Sequence, residues 1–358
     1  MRISPGPVAL FGSGETTPSG RRIFEQLFRA LPQAPEVAIL ETPAGFELNS
    51  PEVASRIGDF LQARLQNYRP RITIVPARKR GTQFSPDDPE VISPLLTADL
   101  IFMGPGSPTY AIRQLQDSLA WGYLQARYRL GAGLALASAA AIAIGAQALP
   151  VYEIYKVGED IHWNEGLDFF GPYGLSLVFV PHWNNNDGGE SLDTSRCFMG
   201  LARFEPLLDM LPPEKTVVGI DEQTGLLVDL AAGECQVVGV GGVTVLRKSG
   251  EEKFYDGETF PVSVLGDYHL PKGATGLPAR IWRRAVESTR AGKSPSGPSD
   301  RVQALVSQRE SARAEKDWEA ADALRERIED LGWRIKDTEE GPVLEKIDTS
   351  GEWGENGN

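Results

Sequence analysis

The sequence predicts an α/β fold: a three-layer, mostly parallel sheet covered by helices on both faces, with a helical hairpin appended at the C-terminus. Three observations lead there. Short apolar runs of four or five residues recur along the first half of the chain and read as strands buried on both faces. Longer helical stretches separate them, which is the alternation of βαβ units. Past a Pro-, Ser- and Gly-rich tract at 293–299, the chain changes to two charged segments with apolar stripes.

Residues 8–11 form the first strand and run into Gly12-Ser13-Gly14-Glu15, after which Thr17-Pro18-Ser19 caps a helix through Phe28. Such a turn suits an anion or a close backbone approach, but it lacks the remaining glycine of a dinucleotide fingerprint and the GK[ST] of a P-loop. Residues 37–41 make the second strand. Asn49-Ser50-Pro51-Glu52 starts an amphipathic helix running to Tyr68, and 72–75 make the third strand. Residues 99–103 make a fourth, ending in Gly104-Pro105-Gly106-Ser107-Pro108-Thr109 before a helix over 110–119. Glycines there present backbone N–H groups at the carboxyl edge of the sheet, where open α/β sheets bind ligands. A tight turn serving topology alone accounts for them equally well.

Residues 131–147, GAGLALASAAAIAIGAQ, organise the rest. Leu134 to Ala137 suit a buried strand and Ala139 to Gln147 a helix, so the chain turns sharply at Ser138, the only hydroxyl in the stretch. That is the pattern of a nucleophile elbow, which lifts a serine off a parallel strand and aims backbone N–H groups at the same point. Leu136 and Ala140 stand where an elbow usually carries glycine. A serine capping a packed strand is the plainer alternative.

The following stretch mixes apolar residues with Glu153, Lys156, Glu159, Asp160, His162 and Glu165. Residues 175–180 are a strand that empties into Pro181-His182-Trp183-Asn184-Asn185-Asn186-Asp187. A His directly after a buried strand, in a polar and aromatic loop, is placed to face a cleft; His162 and His269 sit in less regular surroundings. Four close-set β segments at 217–221, 225–230, 236–240 and 243–247 read as the antiparallel edge of the same sheet. Helices are expected over 300–315 and 318–331. Val302, Leu305, Val306 and Ala312 form one apolar stripe, and Ala321, Leu324, Ile328 and Leu331 the other. Lys316-Asp317 is the joint, Gly332 the stop, 333–335 with 343–346 a small β-hairpin, and 348–358 a tail without structure.

The totals exclude several classes. At 358 residues the chain can bury a large core. Its 41% hydrophobic and 24% charged content is that of a soluble globular protein, and a formal charge of −13 argues against general affinity for nucleic acid phosphates. Cys197 and Cys235 form neither a metal spacing nor a disulfide framework, so no metal or cofactor is expected and a reducing compartment fits. With no signal peptide or spanning run legible, the expectation is a cytoplasmic protein that does not engage membranes.

On these residues, the chain from about 8 to 247 resembles the serine peptidases of the dipeptidase E and cyanophycinase group. The loop GPGSPTYAIRQL is similar to that group's Gly-Gly-Gly-Asn-Thr loop and SAAA to its Ser-Ala-Gly-Ala elbow. VPHWNN is similar to its strand-to-His segment, and GIDEQTGLLVD to its Gly-Ile-Asp-Glu signature. The resemblance implies a class I glutamine amidotransferase-like (flavodoxin-like) fold and a peptide or small amide substrate. Ser138 would be the nucleophile, His182 the general base, and Gly106 and Ala139 the oxyanion donors. It also implies an acid a short way after the nucleophile, with Glu153 nearest and Asp160 second. Lys156, Asn184 and Arg196 are the candidate substrate contacts. The GPGS loop lacks the family's middle glycine and Asn, and a proline donates no N–H.

Residues 300–346 resemble the C-terminal segment of cysteinyl-tRNA synthetases, whose Ala-Asp-x-x-Arg and Gly-x-x-x-x-Asp-Thr steps are present as AADALR and GWRIKDT. The HIGH and KMSKS signatures are absent, so aminoacylation is not implied. The expected division is therefore a peptidase-like domain over 1–247, an extension packing on it over 248–292, a linker, the hairpin over 300–346 and the tail. The expected function is a serine hydrolase; the alternative is an inert binding protein whose tail recruits a protein or tRNA partner. A homodimer is left open.

Overall fold

The computed structural model describes residues 4–291, 300–338 and 341–347. The expected linker at 293–299 and the tail at 348–358 lie outside the described residues.

Five short strands form the parallel part of the main sheet: β1 (Val8–Phe11), β2 (Glu36–Leu40), β3 (Arg71–Val75), β4 (Leu100–Met103) and β5 (Gly133–Ala137). Between them run α1 (Pro18–Arg29), α2 (Ser50–Arg64), α3 (Pro108–Leu115) and α4 (Leu119–Arg129). The expected helix over 110–119 thus ends early. Asp117 takes a left-handed φ of 59°, and Ser118 accepts from the N–H of Trp121 to start α4.

Downstream come α5 (Ala139–Ala143), β6 (Gln147–Ala148), β7 (Asn164–Glu165), β8 (Leu177–Val180), α6 (Gly200–Asp209), β9 (Thr216–Ile220), β10 (Thr224–Asp229), β11 (Glu234–Gly239), β12 (Gly242–Arg247), β13 (Gly250–Tyr255), β14 (Thr259–Pro261) and α7 (Ala279–Ala291). The main sheet has the order β14-β11-β10-β1-β5-β4-β2-β3. Pairing is parallel from β1 to β3 and antiparallel from β1 out to β14.

Strand periodicity explains the three layers. Val8, Leu10, Leu134, Leu136, Ile101 and Met103 point into one core with α3 and α4. Their neighbours Ala9, Phe11, Ala135, Ala137, Leu100 and Phe102 point into the other, against Phe24, Leu27 and Phe28 of α1 and Ile57 and Leu61 of α2. Both faces are apolar because both are covered, the usual condition of a parallel sheet.

One expectation is corrected. The four β segments after residue 216 are not one antiparallel edge. β10 and β11 extend the main sheet, whereas β9 and β12 join β8 and β13 in a second sheet of order β13-β12-β9-β8, with β8 and β9 parallel. Both sets are apolar and buried, so composition does not say which partner each strand takes.

The extension after 247 packs on this body: β13 pairs with β12, β14 with β11, and the Arg127 guanidinium reaches Thr289 of α7 at 2.6 Å. The C-terminal unit consists of α8 (Asp300–Ala314), α9 (Trp318–Asp330) and the hairpin β15 (Trp333–Thr338) and β16 (Gly341–Lys346). Val302, Leu305, Ile328 and Ile335 form its core. Asp337, in the GWRIKDT step, accepts from both terminal nitrogens of Arg309 at 2.9 Å and pairs with Arg313.

Candidate active site

Ser138 ends β5 with φ 51° and ψ −113°, a strained conformation for a residue with a side chain, and α5 starts at the next residue. The elbow therefore forms without the flanking glycines. Leu136 turns into the core beneath the sheet, and Ala140 is fully buried against it. Ala139 opens α5, so its N–H has no partner within the helix.

The β1 loop shows what Gly12-Ser13-Gly14-Glu15 does. The Gly12 N–H donates to Thr224 O at 2.8 Å, its carbonyl accepts from the His182 N–H at 3.1 Å, and Ser13 Oγ accepts from the Gln223 N–H at 3.1 Å. A Cβ on Gly12 would lie 2.0 Å from Asp221 O, so only glycine allows this approach. The loop welds the ends of the two sheets together.

That weld brings β5 and β8 to one rim. Ser138 Oγ lies 3.1 Å from His182 Nε2, and His182 Nδ1 lies 3.0 Å from Glu222 Oε1. An ionised carboxylate only accepts, so Nδ1 carries the proton and Nε2 is left to take the serine's. Asn185 Nδ2 also donates to Glu222 Oε1, at 3.0 Å, and the Glu222 N–H donates to Asn184 Oδ1 at 2.8 Å.

The acid at the imidazole is thus Glu222, not the expected Glu153 or Asp160. Glu153 sits on a single π-turn over 153–157, with Oε2 buried and without a hydrogen-bond partner among the described residues, and Asp160 lies exposed beyond it. The reason is topological. β8 and β9 are parallel neighbours, with Val180 opposite Gly219, so the residues just past their carboxyl ends lie side by side. The signal was the GIDEQ segment, where two acids, Asp221 and Glu222, follow an apolar run; what was missing was the pairing.

A cavity of about 330 Å³ adjoins Ser138 and His182. Gly106 and Ala139 both line it. Gly106 has φ 144°, and a Cβ there would lie 2.0 Å from Pro43 O, so the GPGS loop depends on glycine at this position. Lys156 lines the cavity too. Arg196 stacks on the Trp183 ring at 3.9 Å and donates to Trp183 O, while Asn184 holds the Glu222 turn. These two expected substrate contacts instead brace the site. Burial pushes the thiol of Cys197, which faces the cavity, up to about 12, with the nearby Glu222 carboxylate adding to the shift.

A family model, the cysteinyl-tRNA ligase anticodon binding domain, matches residues 296–341. Curated relatives match in this region: a cysteine–tRNA ligase from Methanosarcina mazei is 50% identical over 46 residues, 13% of this chain and 10% of that protein. Cysteine–tRNA ligase 1 from Burkholderia lata is 52% identical over 69 residues, 19% of this chain and 13% of that one. The chain spans about a tenth of the length of these relatives. Among solved structures, a peptidase from an acI-B1 Actinobacterium aligns with TM-score 0.57 and 22% identity, over 72% of this chain and 98% of that one. A putative peptidase E protein from Listeria monocytogenes EGD-e aligns with TM-score 0.43 and 14% identity, over 68% of this chain and 99% of that one. The actinobacterial alignment shows a shared fold, so the expected α/β architecture is that of a peptidase of known structure.

Proposed function

We propose that this chain is a serine hydrolase of peptides or related small amides. The observation that carries the reading is the continuous relay from Ser138 Oγ through His182 to Glu222 at the mouth of a cavity. Ser138 Oγ attacks the carbonyl carbon while His182 Nε2 takes its proton. The N–H groups of Gly106 and Ala139 hold the oxyanion. Collapse breaks the C–N bond, and the imidazolium returns the proton to the leaving amine. A water, deprotonated by the same imidazole, then releases the acid. Glu222 keeps the ring in the productive tautomer and stabilises its charged form.

The test is labelling with a fluorophosphonate probe together with turnover of a peptide panel. Labelling of the wild type that is lost in Ser138→Ala supports the reading, and labelling that survives the substitution sinks it. We propose a cytoplasmic location, a reducing compartment that suits the free, buried thiols of Cys197 and Cys235.

One observation favours a second reading, recruitment of a partner through residues 300–346: the match to an anticodon binding domain. The segment 300–347 holds nine Lys and Arg against thirteen Asp and Glu, which favours a protein over tRNA. Pull-downs with and without residues 299–358 test it; equal recovery of partners by both forms removes it.

A further inference from the structure

The cavity beside Ser138 has a character that the hydrolase reading alone does not specify. Pro108, Ile142, Val151, Tyr155 and Phe198 give it an apolar wall. The Tyr155 and Phe198 rings lie 5.3 Å apart, and Phe198 continues to within 6.0 Å of the His182 ring, so the wall reaches the general base. That wall is rigid. Arg196, Cys197 and Phe198 take left-handed φ values of 57°, 59° and 69° in succession, a run that side chains resist unless the surroundings impose it. Here the surroundings do. The Cys197 N–H donates to His182 O at 3.1 Å, and the Arg196 N–H to Trp183 O at 2.9 Å. The neutral Cys197 thiol adds no charge to the wall.

Two side chains of opposite charge border the same cavity. Lys156 Nζ has only the Tyr155 ring, 4.8 Å away, and no ion-pair partner among the described residues. Asp187 uses its backbone N–H on Asn185 Oδ1 at 3.2 Å, while its carboxylate has no partner among the described residues. Both are exposed, so neither is required by the core.

We infer that this cavity is a subsite for a large apolar or aromatic side chain, and that its two unpaired charges orient a short peptide with free ends. The ammonium end goes to Asp187 and the carboxylate end to Lys156. The inference rests on Ser138 being the nucleophile and names the substrate class of that site. With Asp187 and Lys156 engaged by the two ends of the peptide, a charged side chain pressed against this wall would lose its water without a free partner of opposite sign, which disfavours acidic and basic dipeptides. A charge-assisted contact at each end contributes roughly a tenfold to hundredfold gain in kcat/KM.

The experiment measures kcat/KM for Leu-Phe, for versions in which Asp or Lys replaces either residue, and for its N-acetyl and C-amide forms. Leu-Phe is expected to exceed each charged version at least tenfold, and each blocked form to lose about tenfold to a hundredfold. Lys156→Gln should lower turnover of free Leu-Phe by the same factor and leave the C-amide unaffected. Asp187→Asn should do so for the free amine and not for the N-acetyl form. Equal cleavage of blocked and free peptides, a preference for the charged versions, or no cleavage of any of them overturns the subsite. Fluorophosphonate labelling run alongside separates the two claims: labelling that depends on Ser138, combined with such a result, leaves the hydrolase standing and removes only the subsite. Absence of both labelling and turnover removes both.

Discussion

Replacing Glu222 by Gln keeps the side chain's size but removes the charge that favours a proton on His182 Nδ1 and an imidazolium in the transition state. A drop in kcat of about 10³–10⁴ is expected, with KM little changed. Glu153→Gln should leave kcat within about a factor of three, because Oε2 of Glu153 has no partner among the described residues and the imidazole has its acid elsewhere. Steady-state kinetics on the two variants checks the assignment; equal losses would return Glu153 to the site. Ser138 and His182 were legible because each sits directly after an apolar run, where a strand delivers a side chain to the rim. Glu222 sat in a segment already singled out, but it is 40 residues from His182, and only strand pairing brings them together.

At the scale of elements, the loop after β1 and the GPGS loop after β4 divide two tasks that their sequences do not distinguish. Gly12→Ala would drive a Cβ into Asp221 O, next to the turn that carries Glu222. It should cost roughly 1–3 kcal/mol of stability, read by thermal unfolding, and lower kcat more than it raises KM. Gly106→Ala has the same kind of clash, with Pro43 O, and should lower kcat by up to about 10²–10³ by moving the N–H proposed as an oxyanion donor out of position. Labelling rates with the fluorophosphonate probe would report both.

The C-terminal hairpin carries a titratable clamp of its own. Hydrogen bonds from Arg309 and then Arg313, with their charges, hold the Asp337 carboxyl well below the usual carboxylate range. A carboxyl whose folded value lies below its unfolded value stabilises the fold above the unfolded value, about 4, and loses that contribution as pH falls. Asp337 is half-exposed, so solvent screening keeps the effect to about 1 kcal/mol. The stability difference between wild type and Asp337→Asn should therefore be present at pH 7 and shrink progressively below about pH 4, followed by intrinsic tryptophan fluorescence during unfolding. A difference that grows in acid would contradict the clamp.

Across the whole molecule, the proposed catalytic residues all lie in the body over 4–291, and the hairpin has its own small core. Removing residues 299–358 is expected to leave kcat and KM for peptide within about twofold. It should also leave RNA affinity at physiological salt unchanged and weak, as the acidic balance of 300–347 implies. Filter binding and turnover on the truncated chain check this.

Local regularities carry their own geometry, and this is why the sequence alone determined so much here. Apolar runs buried on both faces implied a parallel sheet under helices, small residues after Ser138 implied a sharp turn, and stripes at helical spacing in 300–331 implied a hairpin. Proximity between distant segments has no such local code. Four apolar residues in β8 pack equally well beside several strands, so the second sheet was visible only in the fold. The exchange of Glu153 for Glu222, and the use of Asn184 and Arg196 as braces, followed from that same choice of neighbours, because strand pairing decides which carboxyl ends share a rim.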